Sequence, residues 1–315
     1  MAGLRLQQIS GVEYFFIATP TKAAGMTGAN ADPHTRLDGQ IDLILVRHAE
    51  SVNNVLADQI RRTYGPDVAE STLVALEARM QLPDCGLSDR GHRQLEQLQR
   101  YDWRDYFLKE GAFPRCKVFS SPMQRCLLTA RAVGASLRSS MDEPVVVRAD
   151  LFEEGGCYQH QDDGTPIGLP GTAWQDICAQ FPDFVCPQAT RRGWYDRAHI
   201  ETADEFHARA FDIVGWIWAM QQDMLRSGHG ALVLVMHGNI MSAIMSALFS
   251  GAAHRALYKH CNTGHTHIEL VSHGNKNLTV CQSVNKVTHL LHERDLIGGD
   301  HSVDDRWIQQ FRERD

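Results

Sequence analysis

The chain has 315 residues, of which 43% are hydrophobic and 22% are charged, and its formal net charge is −7. This length allows one large domain with insertions or two smaller domains, and the composition is typical of a water-soluble globular protein. The negative charge argues against a general nucleic-acid binder. The longest apolar runs have the length of a strand, which excludes the roughly 18 apolar residues of a membrane span.

The eight cysteines include no CxxC pair. In a chain of this length they do not indicate a disulfide framework, so a reducing compartment is expected. The first residues lack the charged region, apolar core and cleavage site of a signal peptide. The sequence therefore predicts a cytoplasmic protein whose partners include neither membrane nor nucleic acid.

The predicted elements begin after an N-terminal extension, residues 1–40, which holds one extra strand over 11–18 and a linker rich in small and polar residues. Residues 41–47 form an apolar run with little alternation, as expected for a strand buried on both faces. Five further strands are predicted after it, the last two joined as a hairpin. They are CKVFS at 116–120, VVVR at 145–148, ALVLVMH at 231–237, HTHIELVS at 265–272 and NLTVCQSV at 277–284.

Helices are predicted between these strands, over 89–100 with Ser88 as N-cap, over 203–226 and over 239–249. Another is predicted to start at Ser121-Pro122, with the proline in the first helical position. Strands that alternate with helices indicate an α/β domain with a mostly parallel sheet.

Two stretches, at about 52–86 and 155–200, do not fit this alternation. We interpret both as insertions over one end of the sheet, where ligands bind in open α/β folds.

Side chains suited to phosphate chemistry follow several predicted strands. Arg47 and His48 end the first strand, His237 ends a later one, and Arg125 lies one turn into a predicted helix. Charged groups that end a buried strand are costly unless they face a solvated or charged pocket. Because a helix N-terminus favours anions, these four side chains are expected to meet at an anion site.

A pair of carboxyls, Glu153 and Glu154, enters a glycine-rich loop and completes a set for phosphoryl transfer. Arginine forks and His237 suit phosphate oxygens, and His48 offers an unprotonated nitrogen as nucleophile near neutral pH. A carboxyl can give a proton to the departing alkoxide. Since the cations are side chains, this chemistry predicts no metal and no cofactor.

The run LILVRHAESVNN resembles the RHG signature of the histidine phosphatase superfamily, in the branch that includes cofactor-dependent phosphoglycerate mutases. Ala49 stands where that motif usually has glycine. Further segments resemble the family's motifs in the family's order across about 41–290. They are GLSDRGHRQ at 86–94, SSPMQRCLLTA at 120–130, LFEEGG at 151–156, ETADEFHAR at 201–209, VMHGN at 235–239 and NTGHTHIEL at 262–270.

This resemblance implies a phosphoglycerate mutase-like fold, a three-layer αβα sandwich whose mostly parallel sheet has one antiparallel strand. It implies that Arg47, Asn54, Arg125 and His237 bind phosphate and that His48 carries the phosphoryl group. The position of the acid follows the family's LxE motif and favours Glu153 as proton donor. Glu154 remains the alternative, because it directly follows.

The resemblance leaves three functions open, of which a phosphomonoester hydrolase is favoured. The phosphoglycerate mutases carry an ERHYG-like run after the acid, whereas the run at 153–157 here is EEGGC. A phosphomutase is therefore the second reading. A catalytically inactive binding protein of the same fold is disfavoured, since every catalytic position is retained.

The domain division predicted from the sequence is an extension over 1–40, a catalytic domain over 41–290 and a tail over 291–315. The expected partner is a small phosphorylated substrate, and a homodimer is one assembly considered. His265 and His267 alternate on a predicted strand, but without a CxxC or HExxH pattern they are not interpreted as metal ligands.

Overall fold

The computed structural model describes residues 7–9, 12–14, 39–65, 68–103, 114–187, 192–252, 256–274 and 276–299. The chain divides into two compact units, Met1–Arg36 and Leu37–Asp315. In the first unit, β1 (Gln7–Ile9) and β2 (Val12–Tyr14) form a two-stranded antiparallel ladder. The predicted strand over 11–18 therefore contains β2, while residues 15–18 lie outside the described residues.

The second unit is built on a six-stranded sheet with helices on both faces. Its strands are β3 (Gln40–Arg47), β4 (Cys116–Ser120), β5 (Val146–Val147), β8 (Ala231–Met236), β9 (His265–His273) and β10 (Lys276–Lys286). A separate small ladder pairs β6 (Tyr158–His160) with β7 (Pro166–Gly168). The helices are α1 (Val52–Tyr64), α2 (Glu70–Met80), α3 (Asp89–Gln99), α4 (Gln124–Ser136), α5 (Trp174–Gln180), α6 (Ala203–Ser227) and α7 (Gly238–Ser250).

The strand order in the large sheet is β10-β9-β3-β8-β4-β5. The pairs β3–β8, β8–β4 and β4–β5 are parallel, whereas β9 runs antiparallel to both of its neighbours. The predicted mixed sheet with one antiparallel strand is confirmed. Since β3, β4 and β8 are parallel and adjacent, their carboxyl ends meet at one edge of the sheet.

The two faces of β3 show why its apolar run has little alternation. Leu43 and Leu45 pack on one face with the apolar stripe of α6 and with α7, and Ile44 and Val46 pack on the other face with α3 and α4. All four side chains are fully buried. A strand covered on both sides needs apolar residues at every position, as the sequence predicted.

The start of α4 differs from the prediction, which placed Pro122 in the first helical position. The helix begins at Gln124, with Met123 as N-cap, and it ends at Ser136. The Ser121 hydroxyl accepts from the backbone N–H of Met123 at 3.3 Å, before the helix begins, and it lies 2.8 Å from Nε2 of His237. Instead, Oδ1 of Asp84 accepts the first helical N–H, from Gln124, at 2.9 Å.

The predicted hairpin of β9 and β10 is present, and Gly274 in its turn has a φ of 59°. Beyond it, short 3₁₀ helices at Thr288–Leu290 and Arg294–Leu296 contact α3. Leu296 is fully buried, so part of the predicted tail, residues 291–299, packs onto this unit. No helix within the described residues is long and apolar enough to cross a bilayer.

Candidate active site

Four of the predicted side chains meet where the central parallel strands end. His48 and His237 follow β3 and β8, and their ring centroids lie 5.1 Å apart. Arg125, in the first turn of α4, places its Nε 3.3 Å from Nε2 of His48. Arg47 is close enough for its charge to lower the pKa of both histidines. The predicted cluster of two arginines and two histidines therefore exists.

The tautomer of His48 is set by its two neighbours. Nδ1 lies 2.7 Å from the carbonyl oxygen of Ala49, and a carbonyl can only accept, so Nδ1 carries the proton. Nε2 faces an Arg125 N–H, and a guanidinium can only donate, so Nε2 presents its lone pair. His48 is thus a neutral imidazole with Nε2 as its available nucleophilic atom.

Burial and positive charge keep both histidines neutral. Desolvation, and then the charges of Arg125 and Arg47, hold the pKa of His48 well below its usual range. Desolvation and Arg125 likewise lower the pKa of His237. Burial and the nearby guanidinium groups each disfavour the protonated imidazole, so both histidines stay neutral at neutral pH.

The orientation of His237 is fixed by two residues that the sequence analysis did not assign to the site. Nε2 of its ring lies 2.8 Å from Oγ of Ser121 and 3.4 Å from Sγ of Cys126. Both partners belong to the SSPMQRC segment that also carries Arg125. That segment therefore positions an arginine and the second histidine together.

The Arg47 guanidinium hydrogen-bonds to main-chain carbonyls through Nη1, while its Nε donor has no acceptor among the described residues. Its Nη1 donates to the carbonyls of His260, at 2.6 Å, and of Gly299. Its Nε is buried and has no hydrogen-bond partner among the described residues. Burial lowers the pKa of Arg47 to about 10, which still leaves the guanidinium charged at neutral pH.

Glu153 lies at the N-terminus of α7, directly beyond His237. Its carboxylate accepts from the backbone N–H groups of Asn239 at 3.2 Å, Ile240 at 3.1 Å and Glu154 at 3.0 Å. Among the charges that raise the pKa of Arg47, that of Glu153 is the largest contributor. The structure thus brings Glu153 to the cluster of arginines and histidines.

Glu154 contacts the same end of α7, but it accepts from the side chain of Asn239 rather than from backbone N–H groups. Its Oε2 accepts a 2.8 Å hydrogen bond from Nδ2 of Asn239. Both carboxyls therefore lie beside α7, and the assignment of Glu153 as the acid stays a prediction.

Asn54, the remaining predicted phosphate ligand, lies at the start of α1. Its Oδ1 accepts from the backbone N–H of Ser51 at 3.0 Å and from Nδ2 of Asn262 at 3.3 Å. Asn262 also donates to the carbonyl of His48 at 3.2 Å, so Asn54 is connected to the cluster through it. The sequence did not assign Asn262 to the site. Its only indication was that Asn262 belongs to the NTGHTHIEL segment, which resembles a family motif.

Asp84 hydrogen-bonds to residues of the second predicted insertion and to the start of α4. While its Oδ1 caps α4, its Oδ2 accepts from Oγ1 of Thr172 at 2.7 Å and from Nε1 of Trp194 at 3.2 Å. Asp84 lies in the predicted 52–86 insertion and its two partners lie in the 155–200 insertion. One carboxylate therefore joins both insertions to the helix turn that carries Arg125.

One group in the described residues has the composition of a metal site, and it lies away from this cluster. Ligand atoms of Asp42, His267 and Glu269 lie within 4.8 Å of one another. Asp42 is five residues before Arg47 on β3, about 16 Å along the strand. His267, which was not interpreted as a metal ligand, contacts Oδ1 of Asp42 at 2.8 Å.

The catalytic cluster is nearly closed to solvent. The exposed fractions are 0% for His237, 2% for Arg47, 3% for His48 and 8% for Arg125. A cavity of about 630 Å³ lies behind the carboxyl-bearing loop, and its lining includes Phe152, Trp194 and Arg209. None of the four cluster residues lines it.

Comparison with known proteins gives a family match over most of the second unit. The model of the histidine phosphatase superfamily (branch 1) matches residues 43–283. Among curated proteins, no match was found.

Solved structures provide several similar proteins, all at low identity. A putative alpha-ribazole-5'-P phosphatase from Escherichia coli is 15% identical with a TM-score of 0.46, over 78% of this chain and 96% of that one. A mutant phosphoserine phosphatase from Entamoeba histolytica, in complex with phosphoserine, is 18% identical with a TM-score of 0.45, over 79% and 99%. The ecdysone phosphate phosphatase from Bombyx mori, in complex with tungstate, is 18% identical with a TM-score of 0.47, over 79% and 96%.

Proposed function

The chain belongs to branch 1 of the histidine phosphatase superfamily, and on this basis we propose that it is a phosphomonoesterase that carries the phosphoryl group on His48. The observation that carries the proposal is the fixed tautomer of this residue. Ala49 holds the proton on Nδ1, and Nε2 faces the guanidinium of Arg125. A neutral imidazole aimed at paired cations is what attack on a phosphate requires.

The proposed reaction has two steps. In the first, a bond forms between Nε2 of His48 and phosphorus while the ester P–O bond breaks, and Glu153 protonates the departing oxygen. In the second, water attacks the phosphohistidine, Glu153 takes its proton, and the P–N bond breaks to release phosphate. Throughout, Arg47, Arg125 and His237 stabilise the charge on the phosphoryl oxygens, and Asn54 assists binding.

The first experiment traps the phosphoenzyme. The enzyme is mixed with a ³²P-labelled aryl phosphate, quenched in alkali, and tested for label that is stable in alkali and lost in acid. Wild type is expected to be labelled, while His48→Ala should show no label and should lose at least about 10⁴-fold in turnover. His92→Gln, which changes an exposed histidine on α3, is the control and should be labelled like wild type.

A phosphomutase is the second candidate, favoured by one observation. A mutase must shield its phosphoenzyme from water, and the four cluster residues are at least nine-tenths buried. Release of free phosphate from a panel of phosphate esters supports the hydrolase. Isomerised phosphoglycerate without free phosphate would instead establish the mutase, and absence of labelling with every ester would favour an inactive binding protein.

A further inference from the structure

A buried ion pair lies behind the loop that carries the two carboxyls. Glu201 and Arg209, at the start of α6, have exposed fractions of 5% and 6%. The pair is bidentate, since Nε and Nη2 of Arg209 donate to the two oxygens of Glu201 at 2.7 and 2.6 Å. Breaking such a pair leaves an uncompensated buried charge, so both partners are needed together.

The remaining guanidinium nitrogen of Arg209 holds the backbone just before Glu153. Its Nη1 donates to the carbonyls of Asp150 and Phe152, each at 2.9 Å. The guanidinium also stacks on the Phe152 ring, with Cζ 3.8 Å from the ring centroid. One side chain thus fixes two carbonyls and one ring within three residues of the predicted acid.

Glu201 holds the same loop on the other side of Glu153. Its backbone N–H donates to the carbonyl of Gly155 at 3.1 Å. Gly155 and Gly156 have φ angles of 85° and 76°, in the left-handed region that glycine adopts most easily. A loop with this backbone has no regular hydrogen-bond ladder of its own, so its position depends on contacts from other elements.

The contacts reach the residues of the catalytic cluster by two routes. Through the loop, they fix the backbone on both sides of Glu153, whose carboxylate lies against α7. Directly, the charge of Arg209 is among those that lower the pKa of His237. Among the described residues, neither member of the pair hydrogen-bonds to Arg47, Arg125 or His48, so its hydrogen bonds act on the loop that carries Glu153.

We propose that Glu201 and Arg209 are positioning residues that hold Glu153 in place to protonate the leaving group. The proposal rests on the phosphatase function proposed above. If the pair positions the acid, its loss should slow most the esters whose leaving oxygen needs a proton. A purely structural role would affect all esters equally, so the two roles differ in how the rate depends on the leaving group.

The test compares an aryl phosphate, which needs little help in departure, with an alkyl phosphate such as glycerol phosphate, which needs the acid. Arg209→Gln is expected to lower kcat/KM on the alkyl ester by about 10- to 100-fold, since a misplaced catalytic group costs of this order. On the aryl ester, kcat/KM and the burst of ³²P-phosphohistidine should change less than about threefold, because both report the step before the phosphohistidine is hydrolysed. Glu201→Gln should show the same selectivity, and Arg209→Lys a partial effect.

The matched control is Arg197→Gln. Arg197 donates to the same Glu201 carboxylate at 3.2 Å, from a side chain that is 28% exposed, and among the described residues it makes no hydrogen bond with the loop before Glu153. It should leave the ratio of alkyl to aryl kcat/KM unchanged. Because Arg209→Gln breaks a buried ion pair and is expected to lower stability, Tm is measured for each variant, and Glu201→Gln and Arg209→Lys provide independent readings.

The outcomes separate this proposal from the phosphatase function. If wild type forms no phosphohistidine with any ester, the proposed function fails. If wild type is labelled but Arg209→Gln, Arg209→Lys and Glu201→Gln lower kcat/KM equally for the alkyl and aryl esters, the pair is only structural and the positioning role is wrong.

Discussion

The two sides of the catalytic centre are held in different ways. The phosphate-binding side, which comprises Arg47, His48, Arg125 and His237, lies at the ends of adjacent strands and in the first turn of a helix. The acid loop, residues 150–156, is irregular and is held by side chains from α6 and by the N-terminus of α7. The comparison teaches that regular structure positions the proposed nucleophile, while long-range side-chain contacts position the proposed acid.

The largest expected effect tests whether the two sides can be separated. Glu153→Gln should lower turnover of an alkyl phosphate by about 10²- to 10³-fold, because a positioned acid contributes on this order. For an aryl phosphate, kcat/KM and the burst of phosphohistidine should be largely retained, because both report the step before the phosphohistidine is hydrolysed. Steady-state and burst kinetics on both esters provide the measurement.

Glu154→Gln is the matched control, since it removes a charge one residue away and is expected to change either rate less than about threefold. If only Glu154→Gln loses alkyl turnover, the acid is Glu154. A loss of phosphohistidine in Glu153→Gln would show that the two sides are not separable.

A smaller effect is expected from Asp84→Asn, on the phosphate-binding side. Losing the carboxylate that caps α4 should shift Arg125 and lower kcat/KM by about tenfold for aryl and alkyl esters alike. The free energy of unfolding should fall by about 1 kcal/mol. Asp89→Asn is the control, because Asp89 lies in the first turn of α3 and is exposed. A loss confined to alkyl esters would contradict the assignment of Asp84 to this side.

The smallest effect concerns a buried histidine beneath the phosphate-binding side. Nε2 of His289 lies 2.8 Å from Oγ1 of Thr263, whose backbone N–H donates to the carbonyl of His48. Burial lowers the pKa of His289 to about 4. Between pH 4 and pH 6.5 the unfolded chain therefore binds a proton that the folded chain does not, so stability falls as pH falls through this window.

Replacing His289 should reduce that pH dependence. His289→Gln is expected to lower the slope of unfolding free energy against pH by up to about 1.4 kcal/mol per pH unit within the window. Chemical denaturation at pH 7, 6, 5 and 4.5 measures the slope, and His92→Gln should leave it unchanged. An unaltered slope in His289→Gln would mean that this histidine is protonated in the folded chain.

The same division explains what the sequence could predict. Two uninterrupted apolar runs predict β3 and β8 and where each strand ends. The positions of Arg47, His48 and His237 follow from those ends. The start of α4 cannot be predicted in this way, because its cap is Asp84, 40 residues earlier in the chain. A local signal, Ser121-Pro122, suggested a cap there, but the Ser121 hydroxyl is engaged by His237.

Other parts of the site have no local signal at all. Arg47 donates to the main-chain carbonyl of Gly299, in a segment predicted to be a tail. Because any residue can supply a main-chain carbonyl, the sequence carries no signal for this contact. The contacts of Arg209 with Asp150 and Phe152 join positions some 60 residues apart. The motif around Arg209 was recognised by resemblance, but its partners depend on tertiary packing.

The Ala49 carbonyl that fixes the proton of His48 has a consequence for how the enzyme can change over generations. It is a backbone atom, so no single substitution at position 49 deletes it, and the chemistry of the nucleophile is buffered against mutation. The proposed acid has less protection, since the hydrogen bonds to the carbonyls of Asp150 and Phe152 come from the replaceable side chain of Arg209. Under the proposed mechanism, substitutions at Arg209 can therefore change which leaving groups are accepted while the phosphoryl-transfer step is retained.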